Sequence, residues 1–254
     1  FGSARDITVL YSDANLGFSG GNNLGYAHAR EKLGAEFMVI LNNDTVIEQG
    51  DFIREAVELY GHWAFSIAGP DIITPDGRHE NPWNDYVYSI EELKTLRSIR
   101  RQEREQYLSQ SEASFRKIGK STPSSEIILN PILQGAAYVV SPVFITDHDK
   151  IFDERLFLYG EEFLLAVDCL LSGHLTIYTS KLEVRHHEGA STGDLLSHDK
   201  LMYGYDSVIK AISLSLKRLE RQRAASLGSV IDFADIEKID DCLDDSVPSI
   251  LVDL

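Results

Sequence analysis

The chain has 254 residues, 43% of them hydrophobic, and a formal net charge of -16. That is enough apolar material for one large α/β domain or a domain with an appendage. It excludes a disordered chain, and the acidic balance argues against non-specific nucleic-acid binding, which needs a basic footprint. Cys169 and Cys242 stand far apart and outside any CxxC pattern, so no disulfide framework or zinc site is expected, and a reducing, cytoplasmic compartment is. No apolar run approaches the length of a membrane span.

In chain order, "DITVLY" (6–11) reads as a short strand, followed by the glycine- and asparagine-rich "NLGFSGGNNLG" (15–25). A helix is expected over 22–33 with Asn22 as its N-cap. "FMVIL" (37–41) is wholly apolar, the signature of a strand buried on both faces. "NNDT" (42–45) follows, then an amphipathic helix over 51–60 from Asp51 to a stop at Gly61, then a strand over 64–73. Alternating strand and helix predicts a mainly parallel sheet covered by helices. Residues 74–88 read as a loop. Residues 89–117 read as charged helix opening on a Ser89–Glu92 capping box, and its basic "RSIRRQERE" reads as a solvated face. "STPSS" (121–125) breaks the pattern. A strand over 132–141, a helix over 159–173, strand character over 175–184 and a loop over 185–192 come next. A helix over 200–223 and an acidic tail over 235–254 close the chain.

Several residues in this frame suit chemistry. Asp44 directly follows a buried strand, where open α/β sheets bind ligands. Flanked by Asn42, Asn43 and Thr45, it can hold a hard cation whose other positions go to water and phosphate; a plain turn accounts for the same residues. Glu161 and Glu162 open a helix, where the dipole favours ionised carboxylates. Such a group can take a proton from a hydroxyl. His186 and His187 stand in the expected loop, as a metal ligand or as ordinary surface residues. Gly17, Gly20, Gly21 and Gly25 permit close backbone approach, but neither the P-loop nor the GxGxxG spacing is present.

Taken together, "NLGFSGGNNLG" (15–25), "LNNDT" (41–45), "QGAAYVVSP" (134–142), "FDERLFLYGEE" (152–162), "SGHLTIY" (172–178) and "HEGAS" (187–191) resemble the inverting GT-A fold glycosyltransferases of family 2, especially the rhamnosyltransferase-like branch. The resemblance implies a three-layer α/β/α domain over 1–192 with 74–130 as an insert, and a helix and tail over 193–254. It implies transfer of a sugar from a nucleotide-diphosphate donor to a saccharide or lipid-linked acceptor of cell-surface polysaccharide synthesis, in the cytoplasm or at the inner face of the membrane. Asp44 would bind Mg²⁺ or Mn²⁺, with His187 as a further metal or diphosphate contact. Glu162, with Glu161 beside it, would be the base. Asn15, Gly20, Gly21, Asn22, Asn23, Asn43, Gly135 and Ala136 would line the donor pocket.

Two departures accompany it. The base position carries Glu162 where the family has Asp. The two βα units that open the family are not seen ahead of Phe1, so an exposed sheet edge and self-association are expected. A non-catalytic relative that binds a carbohydrate or a partner is the alternative.

Overall fold

The computed structural model describes residues 7–110, 123, 125–187 and 198–226. Among them, six strands form one sheet: β1 (Met38–Leu41), β2 (Thr45–Val46), β3 (Ile67–Ile73), β4 (Ile127–Leu129), β5 (Ala137–Val140) and β6 (Thr176–His186). The order is β1-β5-β3-β6-β2, with β4 also on β6. Six helices accompany it: α1 (Gly17–Lys32), α2 (Phe52–Trp63), α3 (Ile90–Gln110), α4 (Pro142–Asp147), α5 (Glu161–Ser172) and α6 (His198–Ser226).

The sheet is mixed rather than mainly parallel. β3 and β6 pair in parallel, while β5 runs antiparallel to both β1 and β3. β2 and β4 also run antiparallel to β6. The strand–helix–strand reading of β1, α2 and β3 holds for direction, since both strands run antiparallel to β5. It fails for adjacency, because β5, arriving from far along the chain, inserts between them. The carboxyl ends of β1, β3 and β6 and the amino end of β5 therefore share one edge of the sheet.

Strand alternation builds a core on each face. Tyr138 and Val140 of β5 pack with Tyr26, Phe144, Leu165 and Cys169, from α1, α4 and α5. Ala137 and Val139 point the other way, toward Phe52, Ala56 and Leu59 of α2. Each large side chain fully buried in this way contributes about 1.5–3 kcal/mol. Outside α5 lies α6, through Leu156, Leu164, Ala211 and Leu214. α3 lies on α6 through Leu93, Val208, Ile212 and Leu216.

Several boundaries differ from expectation. Residues 7–11 form no strand, and Ile7, Val9 and Tyr11 are exposed; no neighbouring strand among the described residues completes a ladder for them. The first helix starts at Gly17, so the glycine-rich segment supplies its first turns. Asn22 is inside that helix, donating to the Phe18 carbonyl at 2.9 Å, rather than capping it. β1 is an edge strand, only partly buried, with an apolar composition that does not reveal its place in the sheet. α2 runs through Gly61 and stops at Ala64, whose φ is 46°. The strand expected over 132–141 is confined to β5, and Ile132 only bridges to Asn84. β6 continues through Arg185 and His186, taking the start of the expected loop. The short β2, β4 and α4 carry too few residues to show a period.

Other expectations are met. The Ser89–Glu92 capping box forms in both directions, at 2.8 and 3.3 Å. α5 is bounded by Gly160 and Gly173, both left-handed. The last part of the charged helix (111–117), most of "STPSS", the loop after His187 and the acidic tail lie outside the described residues. No helix among the described residues is long and apolar enough to cross a membrane.

Candidate active site at the carboxyl edge of the sheet

"NNDT" makes a tight turn from β1 into β2, closed by Thr45 N–H to the Asn42 carbonyl at 3.2 Å, with the Thr45 hydroxyl on the same carbonyl at 2.6 Å. The Asn42 N–H continues the sheet to the Ala136 carbonyl at 3.0 Å. Asn43 is exposed at the tip. Asp44 follows with a side chain only 7% exposed. The turn reading and the ligand-site reading of this segment are therefore compatible: the turn is what aims the carboxylate.

Gly135 and Ala136 lead into β5 at the same edge. A Cβ on Gly135 would lie 3.1 Å from Glu162 Oε1 and 3.6 Å from the ring tip of Phe18. Glycine at this position thus makes room for the Glu162 carboxylate. Through residues 135–136, the Asp44 turn and the start of α5 are neighbours.

The turn into α5 is conformationally demanding. Tyr159 and Gly160 have φ of 68° and 89°, and a non-glycine residue in that region stores strain. α6 holds the turn, with the Ser207 hydroxyl donating to the Tyr159 carbonyl at 2.8 Å. A Cβ on Gly160 would meet Ala211 Cβ at 2.6 Å. The two glutamates that follow face different surroundings. Glu161 is 4% exposed, and its Oε2 has no hydrogen-bond partner. Burial first, then the charge of Glu162, holds the Glu161 carboxyl well above the usual carboxylate range. Glu162 is only half-buried. Of the pair, Glu161 is the buried member and Glu162 the more accessible one.

The asparagine–glycine segment splits into two sets. Asn15 Oδ1 accepts from Gly17 N–H at 3.0 Å, and the Phe18 N–H bonds the Phe157 carbonyl at 2.7 Å. Gly17 has φ 66°, and a Cβ there would overlap the Phe157 carbonyl oxygen; the start of α1 thus lies directly on the segment leading to Glu161 and Glu162. Asn23, 4% exposed, donates to Phe152 O and Glu154 Oε1 and accepts from the N–H groups of Ile151 and Phe152. These bonds use its amide fully, so Asn23 is a structural clamp rather than a donor contact. Asn22 is likewise turned to its own helix. Gly20 abuts Leu16 Cβ. Asn15 and Gly21, by contrast, line an open cavity of about 780 Å³ formed by residues 10 and 12–17 and one face of α1.

Of the two histidines, His186 rather than His187 presents its ring to Asp44. His187 is exposed and gives only its backbone N–H to the Asp44 carbonyl, at 2.8 Å. His186 Nε2 is 3.4 Å from Asp44 Oδ1, and its Nδ1 is 2.7 Å from Glu80 Oε2. Sequence reading did not single out Glu80, which sits in the Pro-, Gly-, Asp- and Asn-rich loop over 74–88. The one signal available was that the loop is spliced to β3, which becomes visible only with the fold.

No family model matches the chain. Over 75 residues, 30% of its length, the chain is 36% identical to the low-salt glycan biosynthesis hexosyltransferase of Haloferax volcanii, and the matched stretch spans 24% of that protein.

Proposed function

We propose that the chain is a glycosyltransferase of the inverting GT-A class, of family 2, transferring a hexose from a nucleotide-diphosphate donor to a saccharide or lipid-linked acceptor. The carrying observation is that the turn bearing Asp44, through the Asn42 N–H on Ala136 O, and Glu162, beside Gly135, both adjoin residues 135–136 at one edge of the sheet. The likeness to a hexosyltransferase over part of the chain supports the same reading.

In this reading the half-buried Glu162 takes the proton of an acceptor hydroxyl. The hydroxyl oxygen bonds to the anomeric carbon from the face opposite the diphosphate. The bond to the diphosphate breaks, its electron pair leaves with the phosphate oxygen, and the configuration inverts. Glu161, whose carboxyl is raised by burial and by the charge of Glu162, lies beside the base. Asn15, Gly21 and the open cavity form the approach for the nucleotide, with Gly135 and Ala136 at the junction with the base.

Asp44, a nearly buried carboxylate, suits a hard divalent cation. Among the described residues no group of three or more His, Cys, Asp or Glu could by itself hold a metal ion, so in this reading the ion would be shared with water and phosphate oxygens. Asp44 would hold Mg²⁺ or Mn²⁺, which when bound supplies positive charge against the leaving diphosphate.

The test is a panel of UDP-, dTDP- and GDP-sugars incubated with Mn²⁺ and simple glycoside acceptors, scored for nucleoside diphosphate release and for a new glycosidic bond. Release that disappears in Glu162→Gln is expected. A chain that binds glycans yet releases nothing from any donor would instead be a carbohydrate-binding relative.

A further inference from the structure

We infer that the loop carrying Tyr86 and Tyr88, with Phe163 stacked against it, is a saccharide-binding surface beside Glu162, and that it is the acceptor subsite. The acceptor role rests on the glycosyltransferase reading above.

The loop is fastened to both neighbours of Glu162. At its start, Asn81 is 0% exposed, donates to Pro70 O at 2.6 Å and accepts from Gln134 N–H at 3.0 Å. Trp83 N–H bonds the Ile132 carbonyl at 2.7 Å, and Ile132 N–H bonds the Asn84 carbonyl at 2.9 Å. The loop thereby joins the segment that enters Gly135, where a Cβ would lie 3.1 Å from Glu162 Oε1. At its end, the Tyr88 ring stacks on Phe163, the residue after Glu162, with centroids 6.1 Å apart and planes 19° from parallel. The Tyr86 ring meets Tyr88 edge-on, at 5.9 Å and 80°.

Of the three rings Tyr86 is the most exposed, at 51%, while Tyr88 and Phe163 are half-buried. An exposed side chain ordinarily moves between rotamers, but this one is held at both ends. Its hydroxyl donates to Glu92 Oε1 at 2.8 Å, and Asn84 donates to its carbonyl at 2.7 Å. Glu92 is itself fixed by the Ser89 capping box. A ring fixed before its ligand arrives loses little freedom on binding.

The groups around the rings select the ligand. A pyranose has a face of C–H groups, which packs on an aromatic ring, and a rim of hydroxyls, which needs polar partners. Asn84, Asp85 and Glu92 supply an amide and two carboxylates around Tyr86. A wholly apolar ligand would strip water from these groups without replacing it. An anionic ligand would be repelled by the two carboxylates. A neutral sugar satisfies both the rings and the rim.

The experiment is saturation-transfer NMR on the full chain, deuterated except at tyrosine and phenylalanine. The probes are the methyl glycosides of glucose, galactose, mannose and rhamnose, with lactose and maltose. Saturating the rings should mark the C–H protons of one sugar face in the unsubstituted protein, so that reading needs no variant to fold. The dissociation constant of the sugar should rise about 10-fold in Tyr86→Ala and by a smaller factor in Tyr86→Phe, which keeps the ring. In the transfer assay the acceptor KM should rise to match in Tyr86→Ala while the donor KM stays as it was. Unchanged sugar affinity and acceptor KM in folded Tyr86→Ala would overturn this inference and leave the glycosyltransferase reading standing. Absence of saturation in every probe would overturn it as well. A sugar bound at Tyr86 with no transfer from any donor would keep the surface and overturn the glycosyltransferase reading.

Discussion

Helix α1 and the carboxyl edge of the sheet are both rich in polar side chains, and they use them in opposite ways. Along α1 several polar side chains are spent on other segments of the fold. Asn23 clamps residues 151–154, Tyr26 donates to His148 O at 2.9 Å, and Arg30 donates to Ile145 O at 3.0 Å. At the sheet edge Asp44 and Glu80 flank His186, and Glu161 lies buried beside Glu162 without a cation to balance it. Carboxylates gathered round one imidazole, and a buried carboxyl beside a second, are groups of the kind that cluster at functional sites. In the proposed reading α1 is the scaffold and the edge is the site.

That contrast can be broken by substitution. The largest effect is expected for Glu162→Gln, which leaves the shape and removes the base: kcat for transfer should drop by about 10²–10⁴-fold with little change in melting temperature. Equal loss of stability and activity would make Glu162 structural. Asn23→Ala should do the reverse. It strands the buried N–H groups of Ile151 and Phe152, costing roughly 2–4 kcal/mol, which denaturant titration will read as a lower midpoint. Mn²⁺ affinity of the folded fraction should stay as it was. Gly17→Ala, which forces a Cβ against the Phe157 carbonyl at positive φ, should cost about 2–3 kcal/mol, seen in the same titration. If it proves neutral, the docking of α1 on the turn before Glu161 is wrong.

The smallest effect sharpens the distinction between the two glutamates. Burial raises the Glu161 pKa in the folded chain, so the native state holds that proton to higher pH than the unfolded chain does. Its contribution to stability is complete below the unfolded value of about 4.3. It is lost as pH rises through the native value. Glu161→Gln has no such proton to lose, so its stability relative to the parent should grow as pH rises from the unfolded value through the native one. Melting curves for the two chains across that range check it, and parallel curves would show Glu161 ionised throughout.

The sequence revealed chemistry more readily than neighbours. α5, the Asp44 turn and the capping box of α3 were legible, because a glycine stop, an Asx-rich turn and a Ser–Glu pair each act within a few residues. The insertion of β5 between β1 and β3 was not, because nothing local in "AYVV" says which strands flank it. The same limit explains the histidines. A likeness of motif favoured His187, and only the register of β6 on β2 turns His186 to Asp44. Glu80 was invisible for a related reason: its partner lies 106 residues away. The glycine-rich stretch was legible only in part, since glycines that allow close approach look alike whether a ligand or another segment of backbone is approaching.

The most direct test of the account is calorimetric titration of the chain with UDP and with dTDP, each with and without Mn²⁺, beside the Asp44→Ala variant. The account predicts nucleotide binding that requires Mn²⁺ and is lost on removing the Asp44 carboxylate. Binding of equal strength without the metal, or in Asp44→Ala, would contradict the assignment of the sheet edge as the donor site.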